Sequence, residues 1–156
     1  MDESREMILL AEDNPRDVEL TLSILSDSNF SNKVVVSIDG VEALDYLYCR
    51  GQFASRTQGN PVLVVLDLKM PKVNGMEVLR QMRIDEALKR VPVILLTSAR
   101  KGRESTKTGF MGANVYLEKP LDVHDFLEAA IELGLYWGIT NKPKDEGNYL
   151  SRQLRS

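Results

Sequence analysis

Five side chains of complementary chemistry stand at the ends of short apolar runs. Asp67 closes Val62-Leu63-Val64-Val65-Leu66, and Glu12-Asp13 closes Met7-Ile8-Leu9-Leu10-Ala11. Thr97 follows Val93-Ile94-Leu95-Leu96, and Lys119 follows Val115-Tyr116-Leu117-Glu118. Runs of this length and character read as buried strands of a parallel sheet. In such sheets ligands bind in the crevice outside the carboxyl ends of the strands. Three acids brought to that edge repel one another unless a cation or a basic residue sits among them. Magnesium takes a few carboxylates plus waters, usually beside a phosphate, and Asp13 and Asp67 with help from Glu12 suit it. Asp67 could itself be a nucleophile, since carboxylates form aspartyl-phosphate intermediates. The Thr97 hydroxyl and the Lys119 ammonium would then neutralise charge on the transferring phosphoryl oxygens.

The elements needed to position these groups alternate strand-like and helix-like, which predicts an α/β architecture of five βα units. Asn14-Pro15 predicts a helix start, with Val18, Leu22 and Leu25 recurring at helical spacing. Lys33 to Ile38 is a β-branched strand, followed by Asp39-Gly40 and a helix carrying Leu44, Leu47 and Tyr48. Gly51 to Pro61 is polar and reads as a surface loop. Met70-Pro71 breaks the chain, and Gly75 opens a helix with Met76, Leu79 and Met82. Pro92 to Ala99 is the fourth strand, and a small-residue helix from Gly102 to Met111 ends at Gly112. After the fifth strand, Asp122 caps a last helix with Phe126, Leu127, Ala130 and Ile131 on its apolar face. From about Gly138 the chain turns polar and broken.

Composition sets the outer bounds. At 156 residues, 43% hydrophobic and 28% charged, the chain fits one globular domain with a substantial core. A net charge of -3 favours neither nucleic acid nor an anionic membrane. No apolar stretch approaches the roughly 20 residues of a membrane span, and the acidic start lacks a signal-peptide core. One cysteine, Cys49, excludes an internal disulfide and fits a reducing cytoplasm. With Cys49 and His124 as the sole residues of their kinds, zinc and Cys–His catalysis are improbable, and both read as structural.

Together the motifs resemble the receiver domains of two-component response regulators, over roughly Met7 to Gly134. They are Glu12-Asp13-Asn14, Asp67-Leu68-Lys69-Met70-Pro71 with Gly75, Thr97-Ser98-Ala99, and Lys119-Pro120. Each is weak alone; all four in order, each at its own strand end, are specific. The resemblance implies a doubly wound, flavodoxin-like sheet of order 2-1-3-4-5 with helices on both faces. It implies that Asp67 accepts a phosphoryl group from a sensor histidine kinase. Mg²⁺ would be held by Glu12, Asp13, Asp67 and the Lys69 backbone carbonyl, and Thr97 and Lys119 would contact the phosphoryl oxygens. Tyr116, three residues before Lys119, matches the family's switch aromatic, which would turn inward as Thr97 moves toward the phosphoryl group. Lys69 and Ala99 occupy the two variable positions that influence how fast the aspartyl phosphate hydrolyses.

More finely, the Asp-Asn-Pro start, the long loop before strand three and the extended end are similar to stand-alone regulators paired with bacterial phytochromes. The expected organisation is a receiver domain over 5–138 and a tail or arm over 139–156, too short for a DNA-binding effector. Output through protein contacts, to a downstream protein or phosphotransfer partner, follows. Tyr136 and Trp137, assisted by the tail, predict a homodimer; Arg152 and Arg155 read as a solvated terminus. Three rival classes fit the residues less well. An aspartyl-phosphate phosphohydrolase needs a second acid two residues after the nucleophile, where Lys69 stands. A dinucleotide-binding enzyme needs a glycine-rich turn where Glu12-Asp13-Asn14-Pro15 would repel a pyrophosphate. A degenerate scaffold receiver would not need the full set of acids, Thr and Lys.

Overall fold

In the computed structural model, residues 7–27, 33–56, 59–97 and 113–133 are described. Ser98, Ala99, the helix expected over 102–111, Gly112, Tyr136, Trp137 and the tail lie outside them. The element order is β1 (Met7–Ala11), α1 (Pro15–Asp27), β2 (Lys33–Ser37), α2 (Gly40–Leu47), a 3-10 turn (Gly51–Phe53), β3 (Leu63–Asp67), α3 (Gly75–Ile84), β4 (Val93–Thr97), β5 (Val115–Glu118) and α4 (Val123–Glu132). The five strands form one sheet of order β2-β1-β3-β4-β5, with every neighbouring pair parallel. The expected order 2-1-3-4-5 is therefore the observed one.

Strand side chains divide strictly by parity, as a pleated sheet requires. Leu9, Ala11, Val64, Leu66, Val93 and Leu95 face a layer formed by Ala43, Leu44 and Leu47 of α2 and Val78, Leu79 and Met82 of α3. Ile8, Leu10, Leu63, Val65, Ile94 and Leu96 face Ile24 and Leu25 of α1 and Phe126, Ala129 and Ala130 of α4. All residues of β3 and β4 are buried, which explains why these strands read as unbroken apolar runs rather than alternating ones.

Helix starts follow the cap residues. Asn14 Oδ1 accepts from the Arg16 and Asp17 amides at 2.8 and 3.3 Å, Asn74 from Glu77 at 3.0 Å, and Asp122 from Asp125 at 2.8 Å. Asp39 accepts from Glu42 at 2.8 Å, while Glu42 reaches back to the Ile38 amide at 3.0 Å. Each cap contributes about 1 kcal/mol.

Two expectations need correction. Leu22 and Ile131 are 37% and 38% exposed, and Thr21, Ile24 and Ala129 take the inward places. Both lie roughly 100° or more around their helices from the centre of the buried stripe. The segment after α2 is not merely a surface loop. Phe53 packs on the core and meets Tyr46 edge-on at 5.2 Å, and Arg56 stacks 4.0 Å above Tyr46. Among the described residues, no helix is long and apolar enough to cross a membrane.

Candidate functional site

The sheet order reverses between β1 and β3, and the crevice at that point gathers the acids. Ala11 pairs with Leu66, so the next residues, Glu12 and Asp67, leave the sheet side by side. Thr97 pairs with Glu118 on the far side, and the Lys119 amide donates to the Thr97 carbonyl at 2.7 Å. This aims Lys119 back across the strand ends. Gly75 makes the arrangement possible from below. A β-carbon there would collide with the Asp67 carbonyl oxygen and Leu68 Cα, and the Gly75 amide donates to the Leu68 carbonyl at 2.8 Å.

The resulting cleft holds about 210 Å³ and is lined by Glu12, Asp13, Asn14, Asp17, Asp67, Leu68, Lys69 and Lys119. Glu12 and Asp67 are buried, whereas Asp13 faces solvent. Lys119 Nζ lies 2.9 Å from Glu12 Oε1, 2.9 Å from Asp17 Oδ2 and 3.2 Å from Asp67 Oδ1. Glu12 Oε2 accepts from the Asn14 amide at 3.2 Å.

Burial dominates the electrostatics. Loss of water pushes the Glu12 carboxyl up to about 7, aided by the Asp67 charge and opposed by Lys119. Burial likewise raises Asp67, against the charge and hydrogen bond of Lys119, the contact with Glu12 and the Lys69 backbone amide. Burial alone would lower the Lys119 ammonium, but the hydrogen bond to Asp17, the close contact with Glu12 and the charges of Asp67 and Glu12 hold it above its ordinary value. One ammonium thus serves three carboxylates, and the buried pair remains short of positive charge.

These residues fit a hard divalent cation. Oxygens of Glu12, Asp13 and Asp67 lie within 4.8 Å of one another. With oxygens at about 2.1 Å, a magnesium ion spaces adjacent ligands about 3 Å apart and opposite ones about 4.2 Å apart, so the three carboxylates would draw together around it. Glu12 Oε1 is buried without an aligned hydrogen-bond donor, as expected of an atom placed for a cation.

Of the residues singled out from sequence, Glu12, Asp13, Asp67, Lys69 and Lys119 come together in the cleft. Thr97 is buried at the end of β4, outside the cleft lining. Tyr116 is half-buried and packs on the α2–α3 side of the core. Thr97 shares that side by strand parity. Asp17 is the residue the sequence reading missed. Its signal was faint: an acid four positions after Asp13, in a first helical turn where acids are ordinarily explained by the helix dipole.

The response regulator receiver domain family matches residues 8–131 of the chain. The response regulator Rcp1 of Synechocystis sp. is 30% identical over 132 residues, spanning 85% of this chain and 88% of Rcp1. A structure of Rcp1 in its Mn²⁺-bound form has a TM-score of 0.66 at 29% identity, covering 85% of this chain and 94% of that one. The bacteriophytochrome response regulator RtBRR has a TM-score of 0.81 at 46% identity, covering 88% of this chain and 83% of its own. The bacteriophytochrome response regulator AtBRR gives 0.79 at 42% identity, with 88% and 98% covered. The family match runs through almost every described element from β1 to α4, and this chain belongs to the response regulator receiver domain family of two-component signalling proteins, similar to the bacteriophytochrome response regulators.

Proposed function

We propose that this chain is a stand-alone phosphoacceptor regulator in which Asp67 takes a phosphoryl group from a sensor histidine kinase. The observation that carries the reading is the grouping of Glu12, Asp13 and Asp67 within 4.8 Å, with the Lys119 ammonium 3.2 Å from Asp67. An Asp67 carboxylate oxygen attacks phosphorus, the bond to the phosphohistidine nitrogen breaks, and the imidazole leaves. Glu12, Asp13, Asp67 and the Lys69 carbonyl would hold Mg²⁺. When bound, the cation offsets the carboxylate charge and the charge on the phosphoryl oxygens. Lys119 donates to a second phosphoryl oxygen and the Thr97 hydroxyl to a third. Thr97, drawn toward that group, leaves room on its side of the sheet for Tyr116 to turn inward. Moving such an equilibrium from 1:99 to 99:1 takes about 5.5 kcal/mol, so Thr97 and Lys119 must share the work.

The likeness to bacteriophytochrome response regulators supports a bacteriophytochrome as the kinase. The receiver over 5–138 would act in the cytoplasm through protein contacts, without binding DNA, as a homodimer joined through Tyr136, Trp137 and the tail over 139–156. Slow hydrolysis of the aspartyl phosphate resets it. Truncation after Gly138 is expected to shift sedimentation to the monomer; an unchanged profile removes the tail from the dimer.

Intact-mass spectrometry after incubation with acetyl phosphate and Mg²⁺ tests the central claim. One phosphoryl adduct is expected on the wild type, and none without Mg²⁺ or in Asp67→Asn. A folded, Mg²⁺-loaded protein that neither acetyl phosphate nor a cognate kinase modifies would be a scaffold receiver instead.

A further inference from the structure

The Lys119 ammonium carries three N–H bonds, and three carboxylates lie against it. The contact with Asp17 Oδ2, at 2.9 Å, has hydrogen-bond geometry, whereas Glu12 Oε1 at the same distance lacks an aligned donor. Asp67 Oδ1 is the farthest of the three, at 3.2 Å. The direction of the ammonium is therefore set by a residue outside the Glu12–Asp13–Asp67 grouping. Asp17 sits in the first turn of α1, which the Asn14 side chain fixes through the Arg16 and Asp17 amides.

We infer that Asp17 is a positioning residue for phosphoryl transfer. It anchors the Lys119 ammonium at the mouth of the cleft, leaving the N–H that faces Asp67 to be handed to the incoming phosphoryl oxygen. The inference rests on the phosphoacceptor reading of Asp67. A lysine on a four-carbon stem loses appreciable rotamer entropy when it is fixed, and a site that fixes it beforehand spares that cost during the reaction. A divalent cation would take up charge from Glu12 and Asp67 but leave Asp17 as counter-ion, because Asp17 lies outside the acid group suited to the metal. The bland alternative is a first-turn acid that merely favours the helix dipole.

The full chain, labelled with ¹⁵N-lysine, separates the two. The Lys119 ammonium resonance, assigned through its loss in Lys119→Arg, is expected to be protected in the wild type and lost in Asp17→Ala. In the same variant, adduct formation from acetyl phosphate is expected to slow about fivefold, as befits a partly exposed charge-assisted contact. Calorimetric Mg²⁺ affinity stays unchanged. Asp17→Asn, which keeps an oxygen acceptor at the same reach, recovers part of the rate. A wild-type rate in Asp17→Ala would overturn the inference, as would a slower rate matched by an equal loss of Mg²⁺ affinity. A wild type that forms no adduct at all would sink the phosphoacceptor reading instead. The ammonium signal would then still decide whether Asp17 holds Lys119, and its survival in Asp17→Ala would say it does not.

Discussion

Two glutamates in this protein each meet a basic partner, and they respond in opposite directions. Glu12, fully buried at the end of β1, is pushed up to about 7 because burial outweighs Lys119. Glu77, on the surface of α3, is lowered to about 2 by hydrogen bonds from Arg80 and Gln81. Arg80 Nε meets one Glu77 oxygen at 3.0 Å, and Gln81 meets the other at 3.1 Å. Glu77 has its partners to itself and keeps its water. Glu12 shares a single ammonium with Asp17 and Asp67 and has lost its water. A satisfied surface pair is chemically inert, whereas a buried acid short of positive charge is one that a cation would stabilise.

The largest effect that would sharpen this contrast is expected from Lys119→Ala. Buried Glu12 and Asp67 would lose their common partner, costing about 3 kcal/mol in urea unfolding without Mg²⁺. A loss near zero would mean that water already compensates the acids. Gly75→Ala is expected to cost about 2 kcal/mol, because the new methyl displaces α3 from the Asp67 carbonyl. The same variant should lower the yield of phosphoryl adduct, and a wild-type yield would show that Asp67 is held independently of α3. Mg²⁺ at ten times its dissociation constant is expected to stabilise the fold by about 1.4 kcal/mol, visible as a higher melting temperature that chelation reverses. Glu12→Gln should shrink that gain; an undiminished gain would remove Glu12 from the metal set.

The smallest effects belong to Glu77. Because its folded value lies below the ordinary 4.5, its contribution to stability is present above pH 4.5 and lost as pH falls through about 2. A carboxyl NMR titration should show this depression in the wild type and its relief in Arg80→Ala, with little change in the unfolding midpoint at neutral pH. A midpoint shift as large as that of Lys119→Ala would erase the distinction between the two glutamates.

Strands, caps and the acid cluster were legible in the sequence because each follows from a local or one-dimensional property. A strand buried on both faces must be apolar throughout, so β3 and β4 announce themselves and their first polar residue marks the carboxyl end. Asn14, Asn74 and Asp122 cap where their side chains reach the next turn's amides. Leu22 and Ile131 were misplaced because a helical period identifies an apolar stripe without telling where its edge meets the sheet. The packing of Phe53 and Arg56 on Tyr46 was invisible because no periodicity governs a loop.

By itself the sequence determined which residues end the strands, and parallel pairing of those strands carries Glu12, Asp13, Asp67, Thr97 and Lys119 to one edge. Only the tertiary structure decided how a single ammonium is divided among its neighbours. Asp17 and Lys119 are 102 positions apart, and their hydrogen bond depends on how α1 lies against the end of β5. Burial, likewise, is a property of the assembled layers. It is what lifts the Glu12 carboxyl well above the range of an ordinary acid.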